Sequence, residues 1–125
     1  MARKIVIMLL NASPDVPASL GSPFFQATSA ASMDLEVEIY FASRSAALLR
    51  KGVAEKLYPG SKREKSIYSF MQDAHKAGAR FYVCGAAMEE NGITPETAIP
   101  ELDEVRGGAA FISAAIDDGV VTLTY

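Results

Sequence analysis

The chain has no tryptophan, one cysteine and one histidine. A lone cysteine, Cys84, forms no internal disulfide, which excludes a stapled secreted scaffold and a four-cysteine zinc site. An unpaired thiol suits a reducing compartment, so the expected location is the cytoplasm. Basic charge is also short: 12 Lys and Arg stand against 15 Asp and Glu, a formal net charge of -3. With no cationic stripe to meet phosphates, nucleic acid is not an expected partner. The cluster Lys62, Arg63, Lys65 is too short to change this and reads as a solvated loop. Long apolar runs are missing as well. KIVIMLL, residues 4–10, gives way to Asn11 and two prolines, too short to span a bilayer and weak as a signal peptide, so no membrane partner is expected. Nor is there a G-x-G-x-x-G, a P-loop lysine pattern, an H-E-x-x-H or a nucleophile-elbow serine. No metal or organic cofactor is called for.

What the chain does have is one domain's worth of alternating elements. Its 125 residues are 50% hydrophobic and 22% charged, enough to fill one core and too apolar for a disordered segment, so a single domain over residues 1–125 is expected. KIVIMLL is continuously apolar, the pattern of a central strand covered on both faces. The Pro, Ser and Gly-rich loop that follows ends at Ser22, an expected N-cap, with Pro23 at the first helical position. Phe24, Ala27, Thr28 and Ala31 then share a helix face. LEVEIYF (35–41) alternates as a half-exposed strand does, and Ser43 is placed to cap a short helix reaching Gly52. Residues 53–65 lack a period and read as a mobile insertion. Ile67, Phe70, Met71 and Ala74 recur at helical spacing up to Gly78, and RFYVC (80–84) forms a third strand. A short helix over 86–90, a fourth strand near Val105, a helix lined by Ala109, Ile112, Ala115 and Ile116, and a strand over 120–124 complete the chain. This order predicts an α/β fold: a three-layer α/β/α sandwich with a mostly parallel sheet of about five strands, flavodoxin-like in architecture.

In such sheets the C-terminal strand ends face the binding crevice, which puts Asn11, Arg44 and Cys84 on one rim. A thiol must ionise before it attacks. At a strand-to-helix hinge, Cys84 lies near the amides of Gly85, Ala86 and Ala87, whose dipoles favour an anion, while Glu89 and Glu90 oppose it one turn along. Gly85 and Ala86 also leave the approach uncrowded. The alternative is a small buried hydrophobe, a common fate of unpaired cysteine. His75 falls on the flank of its helix's apolar stripe and reads as a boundary residue. Asn11 is placed to donate into the crevice or to shape the turn, and Arg44 to favour a thiolate or an anionic ligand or simply to be solvated.

KIVIMLL, SRSAALLRKGV, the segment AGARFYVCGAAMEENGI and the closing ISAAIDDGVVTLTY together resemble the DsrE/DsrF-like family, which includes the TusD-type sulfur-relay subunits. The resemblance runs almost end to end. It implies that Cys84 is a sulfur-accepting residue carrying a persulfide between donor and acceptor proteins, and that the chain forms trimers or hexamers. With no second cysteine, a persulfide would leave only by attack from a partner thiol or reductant. Phe24, Phe25 and Tyr58 are candidate surface aromatics for self-association. Two other readings stand beside the carrier: a non-catalytic assembly subunit whose crevice takes a small anionic ligand or a partner loop, and, on fold analogy alone, a mononucleotide binder.

Overall fold

The structure is a computed structural model describing residues 1–125. Five strands, β1 (Lys4–Leu9), β2 (Glu36–Phe41), β3 (Arg80–Val83), β4 (Leu102–Val105) and β5 (Val120–Thr124), form one sheet in the order β4-β3-β2-β1-β5. Every strand pairing is parallel. The helices are α1 (Gly21–Ser32), α2 (Ile67–Ala77), α3 (Gly85–Glu90) and α4 (Gly108–Ala115), with short 3-10 turns at Pro17–Ser19, Ser43–Leu49 and Ala54–Lys56.

Strand order decides which face each helix covers. From β1 to β4 the chain steps in one direction across the sheet, and right-handed crossovers keep α1 and α2 on a single face. The last connection runs back past β1 to β5, so the same handedness sends α4 to the opposite face. The two outer layers are consequently unequal. Ile7, Leu9, Ile39, Phe41, Phe81 and Val83 meet Phe24, Ile67 and Met71 in a core of 23 buried residues. On the other face only Val6, Tyr40 and Tyr82 are fully covered, beneath Ala110, Phe111 and Ala114 of α4.

This arrangement corrects the expected inner face of α4. Ile112 and Ile116, placed inward by the sequence reading, are 56% and 77% exposed. Every residue from Gly107 to Ile116 is uncharged. The apolar period therefore held no information about which side packs, and the aromatic Phe111 decides by fitting edge-on to Tyr40, ring centres 5.4 Å apart.

Other boundaries shift for local reasons. The turn at Pro17–Ser19 runs directly into α1, so Leu20 occupies the cap position and Ser22 is already helical, with Pro23 buried. Ala54, inside the stretch expected to be a mobile insertion, is fully buried in the main core, and Leu57 carbonyl accepts from Ile67 N–H at 2.7 Å. Phe24 is a core residue, whereas Phe25 is 63% exposed and Tyr58 half-buried. No helix is long and apolar enough to cross a membrane.

Candidate functional site

Leu9, Phe41 and Val83 stand side by side in register across β1, β2 and β3. The chain leaves all three strands at the same edge, so Asn11, Arg44 and Cys84 share a rim as expected. Two strand spacings, about 10 Å, separate the β1 and β3 exits.

Cys84 is the N-cap of α3, with extended backbone (φ -66°, ψ 133°) and no side-chain capping hydrogen bond. Its N–H donates to Phe41 carbonyl at 3.2 Å, and its carbonyl accepts from Met88 N–H at 3.0 Å. Strand pairing thus fixes one side of the residue and the first helical turn fixes the other. The side chain packs in part against the main core but remains partly exposed, and Gly85 and Ala86 beyond it are exposed. At six residues α3 is under two turns long, which shortens the helix dipole invoked from sequence. Gly85 is not required for backbone reasons: a side-chain carbon there would meet Val105 Cγ1 at 3.6 Å, an ordinary contact.

The other rim residues are exposed and engaged differently. Asn11 donates its backbone N–H to Tyr125 carbonyl at 3.0 Å, which closes the end of the sheet between β1 and β5. The guanidinium of Arg44 pairs with Asp15, in the loop after β1. That pairing draws Arg44 toward β1 rather than leaving it free to serve Cys84.

Two residues that hold the rim, Ser45 and Asn91, were missed from sequence. Ser45 is fully buried; its hydroxyl accepts from Ala42 N–H at 3.0 Å and directs its proton at Leu9 and Ala42 carbonyls, 2.9 and 2.7 Å away. It does the capping expected of Ser43, from three residues after the cap position Ala42, a spacing that sequence reading can recognise. Ser43 instead adopts a left-handed backbone (φ 52°), uncommon for serine. Asn91 ends α3 and donates its side-chain amide to Ser43 carbonyl at 3.0 Å and to Ala87 carbonyl at 2.7 Å.

His75 is a boundary residue, as expected. Its ring lies edge-on to Phe81, and Nε2 is 3.1 Å from Asp103 Oδ2. Asp103 also accepts from Phe81 N–H at 2.9 Å, tying α2, β3 and β4 together. Under α4, Lys4 Nζ lies 2.8 Å from Glu38 Oε2, and Tyr40 hydroxyl donates to Glu38 Oε1 at 3.0 Å. Burial first, then the charge and hydrogen bond of Glu38, push the Tyr40 phenol up to about 12. No three of the chain's His, Cys, Asp and Glu side chains are grouped so as to hold a metal ion.

No curated protein matches the chain. Among solved structures, the YchN protein from E. coli superposes with a TM-score of 0.76 at 14% identity, each chain covered over 100% of its length. MTH1491, a protein of unknown function from Methanobacterium thermoautotrophicum, gives 0.68 at 14% identity with the same full coverage. At such identity these likenesses speak to the fold alone. The model of the DsrE/DsrF-like family matches residues 4–125, virtually the whole chain, and the protein belongs to that family.

Proposed function

We propose that this protein is a single-domain cytoplasmic sulfur carrier. Cys84 thiolate attacks the outer sulfur of a donor persulfide. A sulfur–sulfur bond forms to Cys84 as the donor's own breaks, and the donor leaves as a thiolate. An acceptor thiolate then attacks the outer sulfur of the Cys84 persulfide and releases Cys84 as a thiolate. The two steps exchange sulfur without net oxidation, so neither needs a metal or organic cofactor.

The observation that carries this reading is the position of Cys84. The only cysteine of a DsrE/DsrF-like chain is partly exposed at a strand-to-helix hinge, beside two exposed small residues. Those two residues themselves present little side chain to an incoming sulfur. Gly85 and Ala86 keep that approach open and Asn11 lines the same rim, whereas Arg44, neutralised by its pair with Asp15, adds no net charge there. Incubation with a persulfide donor followed by intact-mass measurement tests the proposal. One added sulfur on the wild type and none on Cys84→Ser is expected; no gain on the wild type, or the same gain on the variant, removes it.

A second reading, a non-catalytic assembly subunit, is favoured by the contact of Cys84 with the main core. The thiol would then react with alkylating agents only after unfolding. Both readings share the self-association that family resemblance implies, as trimers or hexamers. The uncharged outer side of α4, with Ile112 and Ile116 exposed, supplies the surface for it.

A further inference from the structure

The edge of the sheet farthest from β5 carries a second surface with its own chemistry. β4 has a neighbour only in β3, so its outer side pairs with no strand. Beside it lies an open groove of about 620 Å³, whose apolar wall includes Met88, Ile99, Leu102 and Val105. The groove is built into the fold. Ile99 N–H donates to Leu49 carbonyl and Lys51 N–H to Thr97 carbonyl, both at 2.8 Å, which pins the loop before β4 against the body of the molecule.

Charge along the chain from β3 to β4 is one-sided, although the groove's own lining holds Lys51 beside Asp103 and Glu104. Residues 81–105 hold Glu89, Glu90, Glu96, Glu101, Asp103 and Glu104, while all 12 lysines and arginines lie outside that span. Asp103 and Glu104 are tied to His75, Arg80 and Arg106, and Lys51 stands at the other end of the groove. Glu89, Glu90 and Glu96 are exposed, and none of the chain's ion pairs includes them.

We infer that this edge receives an extended, lysine- or arginine-bearing segment of a partner protein, added as a sixth strand against β4. Register sets the pattern of that segment. Leu102 and Val105 stand opposite Phe81 and Val83 on the main-core face, whereas Glu104 stands opposite Tyr82 on the α4 face. An added strand of period two directs apolar side chains into the groove and basic ones toward Glu104. A second copy paired through its own β4 would set these carboxylates against each other, which like charges across a ladder oppose. Complementary charge therefore selects a basic partner. The inference stands whether or not Cys84 carries sulfur.

The test uses the intact protein and the capped peptide Lys-Val-Arg-Val-Lys-Val-Arg, with Glu-Val-Glu-Val-Glu-Val-Glu as control. Fluorescence anisotropy should show binding of the basic peptide alone, weakening as salt rises. Backbone amide shifts should concentrate on residues 102–105. Glu96→Lys combined with Glu104→Lys should weaken binding at least about tenfold; Glu96→Lys alone, at an exposed loop position, gives the same direction should the pair misfold. Failure to bind, equal binding of the acidic peptide, shifts centred away from β4, undiminished binding by the variants, or self-association lost on Glu104→Lys would each overturn the assignment.

Discussion

Asn91 Nδ2 donates to Ser43 carbonyl at 3.0 Å, joining the end of α3 to the exit of β2 across 48 residues of chain. The helix that Cys84 caps is thereby held at both ends: by Cys84 N–H on Phe41 at the start, and by this amide at the finish. Asn91→Ala removes two hydrogen bonds, an exposed one to Ser43 and a half-buried one to Ala87, and should cost about 1 kcal/mol, measured from the shift of the urea midpoint. Amide exchange at Met88 and Asn91 should accelerate more than exchange in β1. An unchanged midpoint would show that α3 is held by packing alone.

Because Cys84 is partly exposed, native protein should react with iodoacetamide within about tenfold of the rate of the unfolded chain. Cys84→Ser should change stability by less than about 1 kcal/mol, as substitutions outside the sealed core do. Labelling that waits for denaturant would support the packing role over the carrier role.

The pair Lys4 and Glu38 sits beneath α4 with side chains only 15% and 13% exposed. Removing Lys4 leaves the Glu38 carboxylate with only the Tyr40 hydroxyl as partner, so Lys4→Met should destabilise by about 1–3 kcal/mol. Tyr40, bonded to the same carboxylate, sets an alkaline limit. Its phenol holds its proton more tightly when folded, up to about 12 against an ordinary 10.0. Its contribution is intact below pH 10 and falls as pH rises from there toward 12. Denaturation midpoints followed over that range should drop more steeply for the wild type than for Tyr40→Phe; parallel curves would refute the linkage.

Ile112 and Ile116 face away from the sheet, so changing both to lysine should leave the monomer folded while dispersing the assembly. Light scattering checks this directly. A wild type already monomeric at micromolar concentration would dispose of the interface.

The parts of the fold legible in sequence are those where one pattern admits one answer. KIVIMLL reads as a doubly covered strand and Lys4–Leu9 forms one, with Leu10 left exposed beyond its end, and Ile67, Met71 and Ala74 bury the helix face they predict. Cys84 was placed at its hinge because RFYV is a strand former followed by glycine and alanines. What stayed illegible depended on partners distant in sequence. Ser45 gains its meaning from Leu9 carbonyl, 36 residues earlier, and Arg44 is claimed by Asp15 across the rim. The facing of α4 was illegible for a different reason: a helix apolar on every side carries no directional signal, and only Tyr40 beneath it supplied one.

The parallel pairing of Lys4 with Val120 has a consequence for how the molecule is made. Closing a loop of more than a hundred residues is slow compared with forming the local crossovers around α1 and α2. On the ribosome, β1 must wait for β5 with one flank open until nearly the whole chain has been made, since β5 begins only at Val120 of 125 residues. Chaperone dependence during synthesis should therefore trace to β1, the segment most apolar and longest without its neighbour.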